Sequence, residues 1–282
     1  MATDKRERQK AGHEARVAYE RAQRARADRR RRVTLVVALV VTASIVLGSV
    51  ALFAGRDDTD GTASGSTTST SLATSLVPPP PGPGASITGE TPCPPADGSA
   101  ERTTSFAGPP PMCIDPAVSY TARFTTSAGT IDVALDAAEM PETVNNFVVL
   151  ARYGYYDGTA IFRADASIDI LQGGAPVTNG NTDPGPGYTI TDEGGPFTYE
   201  PGQLVMARTS EPNSSGAQFF FTTGPNASAL DAQGTYLVFG TTDTAGLGLL
   251  QQALASAVSD PAAGYATPSP ALVVESVEIL EG

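Results

Sequence analysis

Between Arg32 and Arg56 the chain runs for 23 residues, "VTLVVALVVTASIVLGSVALFAG", without one charged side chain. At about 1.5 Å of rise per helical residue, such a run can cross a hydrocarbon layer of ~30 Å. It constrains the fold more than any other feature, because it separates two stretches of chain that cannot then share a core. Residues 33–54 are read as one membrane-spanning helix. The arginines Arg29 to Arg32 abut its N-terminal end, and the positive-inside rule then places residues 1–32 in the cytoplasm and the remainder outside the cell membrane. A cleaved signal peptide is the rival reading. Its apolar region is normally only ~7–15 residues, and no clear small-residue cleavage pattern precedes Arg56, so the uncleaved anchor is preferred.

The charge distribution agrees with that division. Residues 1–32 hold 12 Lys and Arg against 5 Asp and Glu, a balance of +7, so the rest must carry −19 for the chain to total −12. The basic tail reads as a topogenic cluster that also meets anionic lipid; it has no base-reading motif, and nucleic acid is not an expected partner. The acidic outer part disfavours polyanions as well. The expected contact with lipid is therefore the bilayer around residues 33–54.

The only histidine is His13, in the tail, so the outer part can build neither a Ser-His-Asp or Cys-His catalytic set nor a zinc site with imidazole ligands. Neither a metal nor an organic cofactor is implied. The only cysteines, Cys93 and Cys113, both fall outside the predicted membrane span, in an oxidising setting that suits a disulfide between them.

Residues 55–92 are rich in Ser, Thr, Gly and Pro and read as a disordered tether. Residues 93–116 read as a loop-rich collar closed by the disulfide, and residues 117–282 as the folded domain. In "SYTARFTTSAGTIDVAL" apolar residues alternate at Tyr120, Ala122 and Phe124 and again at Ile131, Val133 and Leu135, the pattern of a β-hairpin turning at Ser127-Ala128-Gly129. In "PETVNNFVVLARYG" Pro141 suits a first helical turn, Val144, Phe147, Val148 and Ala151 share a face, and Gly154 ends the helix. Short strands are expected at 168–171, 204–208, 218–222 and 236–239. A second helix carries Leu247, Leu250, Leu254 and Val258 at helical spacing, and "ALVVESVEIL" supplies a closing strand. The fold class is mainly β, a closed antiparallel barrel with two α-helices over its open ends.

The order of the motifs "GTIDVALDAAEMPETVNNFVVLARYGYYDG", "FRADASIDILQGG", "GPGYTITDE", "LVMARTSEPNSSGAQFFFTTGP" and "ALDAQGTYLVFG" resembles the cyclophilin-type peptidyl-prolyl cis-trans isomerases, from about Tyr120 to Ile279. The resemblance implies an eight-stranded barrel, non-covalent catalysis and proline-containing polypeptides as substrates. With the anchor, it suggests a membrane-anchored bacterial form assisting the folding of exported proteins. Residue by residue, Arg163 matches the family's catalytic arginine, Gln172 the glutamine that orients it, and Gln218 a second backbone-binding glutamine. Phe220, Met206 and Leu230 match the pocket wall that grips the proline ring. Ala207 and Arg208 would line the groove for the residues before proline, and Tyr236 stands where the family often has His or an aromatic.

The family places eight steps between arginine and glutamine, whereas Arg163 to Gln172 is nine, so a bulge is expected to absorb one residue. Ile170 aligns with an apolar pocket residue, and the family's pocket phenylalanine falls on Ile168 or Asp169. Because the pocket is then less aromatic, and Ala229 replaces a frequent tryptophan, a catalytically weak module that binds proline-containing peptides is the alternative function.

Overall fold

The structure is a computed structural model and describes residues 75–282. The basic tail, the expected membrane helix and most of the tether lie outside the described residues. Among the described residues no helix is long and apolar enough to cross a membrane.

The predicted hairpin forms. Strands β3 (Tyr120–Thr126) and β4 (Gly129–Leu135) pair without a register shift, from Tyr120 opposite Leu135 to Thr126 opposite Gly129. The turn is closed locally by the Thr126 hydroxyl, which donates to the Gly129 carbonyl (2.6 Å) and accepts from the Ala128 N–H (3.2 Å). The six alternating apolar residues all point into the core.

The first helix, α1 (Pro141–Arg152), starts at its proline, and Gly154 beyond it takes a left-handed φ of 60° that suits glycine. The expected amphipathic pattern is overridden, since every residue from Thr143 to Arg152 is buried. The covering layer is the collar: the Asn145 amide accepts from the Cys113 N–H (2.7 Å) and donates to the Pro111 carbonyl (2.9 Å). The Cys93–Cys113 disulfide is formed.

The collar is thus part of the domain rather than a loop beside it. It contributes Phe106 and Ile114 to the main core, and its strand β2 (Thr103–Phe106) pairs in parallel with β1 (Ala85–Ile87), which lies in the stretch expected to be tether. That stretch is docked from Ser75 onward. Asp260 accepts from the Ser75 hydroxyl and the Leu76 N–H (both 2.7 Å), Asn179 donates to the Pro78 carbonyl (3.1 Å), and Arg102 donates to the Gly82 carbonyl (3.0 Å).

The remaining strands are β5 (Thr159–Ala160), β6 (Arg163–Asp165), β7 (Ile170–Gly173), β8 (Gln203–Met206), β9 (Phe219–Thr222), β10 (Val238–Thr242), β11 (Val258–Asp260), β12 (Tyr265–Thr267) and β13 (Val273–Glu281). With β3 and β4 they form one 11-stranded sheet in the order β11-β12-β6-β7-β9-β8-β10-β4-β3-β13-β5. The expected closed eight-stranded barrel is corrected here: the ladder does not close. Its last strand, β5, is only two residues from β6 near the other end, so the sheet curls until covalent chain through Ile161 and Phe162 bridges the gap. At this seam Gly173 has no room for a side chain. A Cβ there would stand 2.7 Å from Ile161 and 3.3 Å from the Ala160 carbonyl. The free N–H of Ala160 is taken by Asn179 (2.9 Å) instead of by a strand.

The second helix, α2 (Thr244–Ala255), is capped by Asp243, which accepts from the Gly246 N–H (2.8 Å). It ends before Val258, which belongs to β11 and is exposed, so the helical spacing that included Val258 is corrected as well. Helix α1 packs on β13, and α2 on β4, β7 and β10. Phe124, Phe147, Tyr156, Phe219, Phe221 and Phe239 meet at the centre with ring centroids 5.0–6.2 Å apart.

Candidate functional site

Strand β9 has two faces. Phe219 and Phe221 enter the main core, while Phe220 joins a second cluster with Ile170, Tyr199, Val205 and Ala227. This smaller cluster floors a groove of about 620 Å³. Ten of the eleven expected substrate-handling residues line it: Arg163, Ile168, Ile170, Gln172, Ala207, Arg208, Gln218, Phe220, Leu230 and Tyr236.

Met206 does not. It is wholly buried in the main core, and its neighbour Val205 packs on the groove side, opposite Phe220 in the ladder. Side chains alternate along β8, so a one-residue difference in register exchanges core for groove.

Polar groups converge at one end of the groove. Strands β6 and β7 place Arg163 directly opposite Gln172. The Gln172 Oε1 accepts from an Arg163 Nη (2.9 Å), which fixes the amide so that its Nε2 donates to Gln218 Oε1 (2.9 Å). The Gln218 amide nitrogen is left as the donor facing the groove, with only a long 3.5 Å contact to the Gly180 carbonyl. Arg163 also donates through its other terminal nitrogen to Asp165 (2.7 Å). Two of its five N–H groups are therefore engaged, and its side chain keeps 28% exposure at the groove.

The extra residue between Arg163 and Gln172 is absorbed without the expected bulge. The β6–β7 ladder is in register throughout, and the additional residue sits in the connecting turn, where Asp169 adopts a φ of 48°. That turn also decides between Ile168 and Asp169. Ile168 faces the groove, whereas Asp169 turns away and accepts from the Asn226 N–H (2.8 Å), at the start of a short 3-10 helix, Pro225–Leu230. Gly224 lies so close that a Cβ there would collide with the Asp169 carboxylate.

At the apolar end, Tyr236 meets Phe220 edge to face (5.6 Å, 82°) and Tyr199 likewise (6.1 Å, 71°). The Tyr199 hydroxyl accepts from the Tyr236 N–H (2.8 Å) and donates to the Tyr236 carbonyl (3.1 Å), and burial raises its pKa to about 12. It remains a neutral hydroxyl able to do both. Tyr199 and Val205 belong to the buried cluster beneath the groove, and the sequence reading does not find them. Tyr199 lies in a stretch without periodic pattern, and only strand parity could have pointed to Val205.

Arg208 lies at the far end of the groove. It pairs with Asp192 (2.9 Å) and donates to the carbonyls of Thr235 (2.9 Å) and Glu211 (2.7 Å). Asp192 and Asn213 exchange reciprocal bonds between side chain and backbone N–H (2.8 and 3.0 Å). Arg208 therefore binds loops together at the groove's rim. On the opposite wall Asp183 accepts from the N–H groups of Val177, Thr178 and Gly185 and shapes the loop that borders Gln218. No group of three or more His, Cys, Asp or Glu able to hold a metal ion occurs among the described residues.

The family model described as cyclophilin type peptidyl-prolyl cis-trans isomerase matches residues 121–278. The chain is 39% identical over 112 residues to peptidyl-prolyl cis-trans isomerase B of Bacillus subtilis, covering 39% of this chain and 73% of that protein. It is 33% identical over 172 residues to a probable peptidyl-prolyl cis-trans isomerase B of Mycobacterium leprae, covering 55% of this chain and 56% of the relative. A peptidyl-prolyl cis-trans isomerase of Streptomyces antibioticus is 38% identical over 109 residues, which are 38% of this chain and 64% of that one.

Proposed function

Because the chain belongs to the cyclophilin-type peptidyl-prolyl cis-trans isomerase family, we propose that its groove catalyses rotation about X-Pro bonds in polypeptides. The observation that carries the reading is one partly exposed guanidinium, Arg163, held by neighbouring side chains at the edge of an apolar pocket. The barrier to be lowered is ~18–20 kcal/mol and comes from amide resonance. As the bond twists, resonance is lost and the prolyl nitrogen becomes pyramidal and basic. A cation with free N–H groups aimed at that nitrogen stabilises the twisted form over both planar forms, which accelerates the step without covalent chemistry. Phe220, Ile168, Ile170, Leu230 and Tyr236 would hold the ring, and Gln218 the peptide backbone.

The groove keeps three aromatic side chains, Tyr188, Phe220 and Tyr236, and the last two meet edge to face. This favours turnover over the weak binding module that the loss of other aromatic positions suggested. With residues 33–54 as an anchor, the domain would act on exported or surface proteins outside the cell membrane; the disulfide suits an oxidising compartment. Accessibility of the domain to added protease on intact cells tests that placement, and protection of the domain in such cells contradicts it.

In a protease-coupled assay on Ala-Pro peptides, the wild type is expected to accelerate isomerisation and Arg163→Ala to lose about 100-fold in kcat/KM, the scale of removing one preorganised donor. Equal rates for the two proteins reject the reading.

A further inference from the structure

The Arg163–Asp165 pair supports an inference beyond the reaction itself, resting on the isomerase reading above. Residues two apart on a strand share a face, so β6 presents Arg163 and Asp165 side by side while Ala164 between them is buried. The Asp165 carboxylate is itself fixed. One oxygen accepts from the Ser167 hydroxyl (2.6 Å) and the Ser167 N–H (3.1 Å), which leaves the other for an Arg163 Nη at 2.7 Å. The Ser167 hydroxyl, its N–H and the Arg163 charge hold the carboxyl below the usual range against the opposing effect of burial, so it is ionised at neutral pH.

Gln172 grips the other terminal nitrogen. One anchor leaves a guanidinium free to swing about the bond that carries it, whereas anchors on both terminal nitrogens fix its plane. We propose that Asp165 is a positioning residue which, with Gln172, sets the plane of the Arg163 guanidinium so that its free N–H groups face the prolyl nitrogen. It does not line the groove and need not touch substrate. The carboxylate also offsets part of the arginine's charge, so the proposal asserts that orientation outweighs neutralisation. That balance can be measured, because misplacing a reacting group by about 1 Å can reduce a rate ~100-fold.

Asp165→Ala is expected to lower kcat/KM for an Ala-Pro peptide roughly tenfold while the peptide's Kd, read by calorimetry, changes less than about twofold. Asp165→Glu, which restores a carboxylate within reach, should recover at least a third of the activity. Side-chain 15N NMR of Arg163 should show separate, slowly exchanging Nη signals in the wild type and averaged ones in Asp165→Ala. Unchanged or raised activity in Asp165→Ala overturns the proposal, as does a Kd that weakens in step with kcat/KM. Should the wild type itself not catalyse, the isomerase reading fails on its own, and unaltered Arg163 signals in Asp165→Ala still reject the positioning role.

Discussion

The two arginines of the groove, Arg163 and Arg208, face similar surroundings and are used in opposite ways. Each is paired with an aspartate. Arg208 is 6% exposed and directs its remaining donors at backbone carbonyls of two loops, Thr235 on one side and Glu211 on the other. Arg163 is 28% exposed, touches only side chains, and keeps most of its N–H groups toward the cavity. A guanidinium saturated by main-chain oxygens organises chain, and one held at two points by side chains is a donor kept ready. Counting unfilled N–H groups separates the roles better than counting charges.

The contrast should appear as a double dissociation. The largest effect expected is that of Arg163→Ala on activity, about 100-fold, with urea-denaturation stability within ~0.5 kcal/mol of wild type, as for substitutions away from buried features. A stability loss of several kcal/mol would instead place Arg163 with Arg208. Next, Arg208→Ala should destabilise by about 1–3 kcal/mol, because it removes the ion pair with Asp192 together with the bonds that tie the Thr235 and Glu211 loops, yet lower kcat/KM by less than roughly fivefold. An Arg208→Ala protein as stable as wild type, but inactive, would make Arg208 a substrate contact.

Asp192→Asn should cost less than Arg208→Ala, about 1 kcal/mol, since the carbonyl contacts of Arg208 survive; thermal denaturation reads it. The smallest effect extends the comparison to a carboxylate. Burial works against ionisation of Asp260, but bonds from the Ser75 hydroxyl and the N–H groups of Leu76, Ala263 and Ala262 hold its pKa at about 2. A carboxyl depressed in the folded state contributes its stability above the unfolded value of ~3.9 and loses it as pH falls through the folded one. Hydrogen exchange of the Leu76 and Val77 amides, taken relative to its intrinsic rate at each pH, should therefore stay slow from pH 7 to about 4 and quicken only as pH falls toward the folded value. Asp260→Asn should quicken it at neutral pH without affecting isomerisation. Fast exchange in the wild type at pH 7 would contradict the docking of this segment.

Much of the fold can be read in the chain because its signals are local. Alternation at Tyr120 to Leu135 gave the first hairpin, and Pro141 with Gly154 bracketed the first helix. The resemblance of the motifs to the family indicated ten groove residues, and β6, β7 and β9 carry Arg163, Gln172 and Phe220 in adjacent register. What stayed hidden depended on contacts distant in sequence. The tether composition of residues 75–92 predicted no order, yet its backbone finds partners in Asp260, Asn179 and Arg102. The nine-step spacing could not reveal whether a bulge or a turn held the extra residue.

The sequence by itself determined which chemistries were open. The single histidine, outside the acidic part, excluded Ser-His-Asp and Cys-His sets and imidazole-bound zinc there; the resemblance of the motifs to the family then implied non-covalent catalysis, and short-range periodicity set the elements. Only the tertiary structure decided that the sheet stays open at a glycine seam, that Val205 rather than Met206 underlies the pocket, and that Asp165 and Gln172 grip Arg163 from two sides. The physical reason is that periodicity reports which face a residue occupies relative to its neighbours. Where that face lies, and what approaches it, depend on how strands far apart in the chain are brought together.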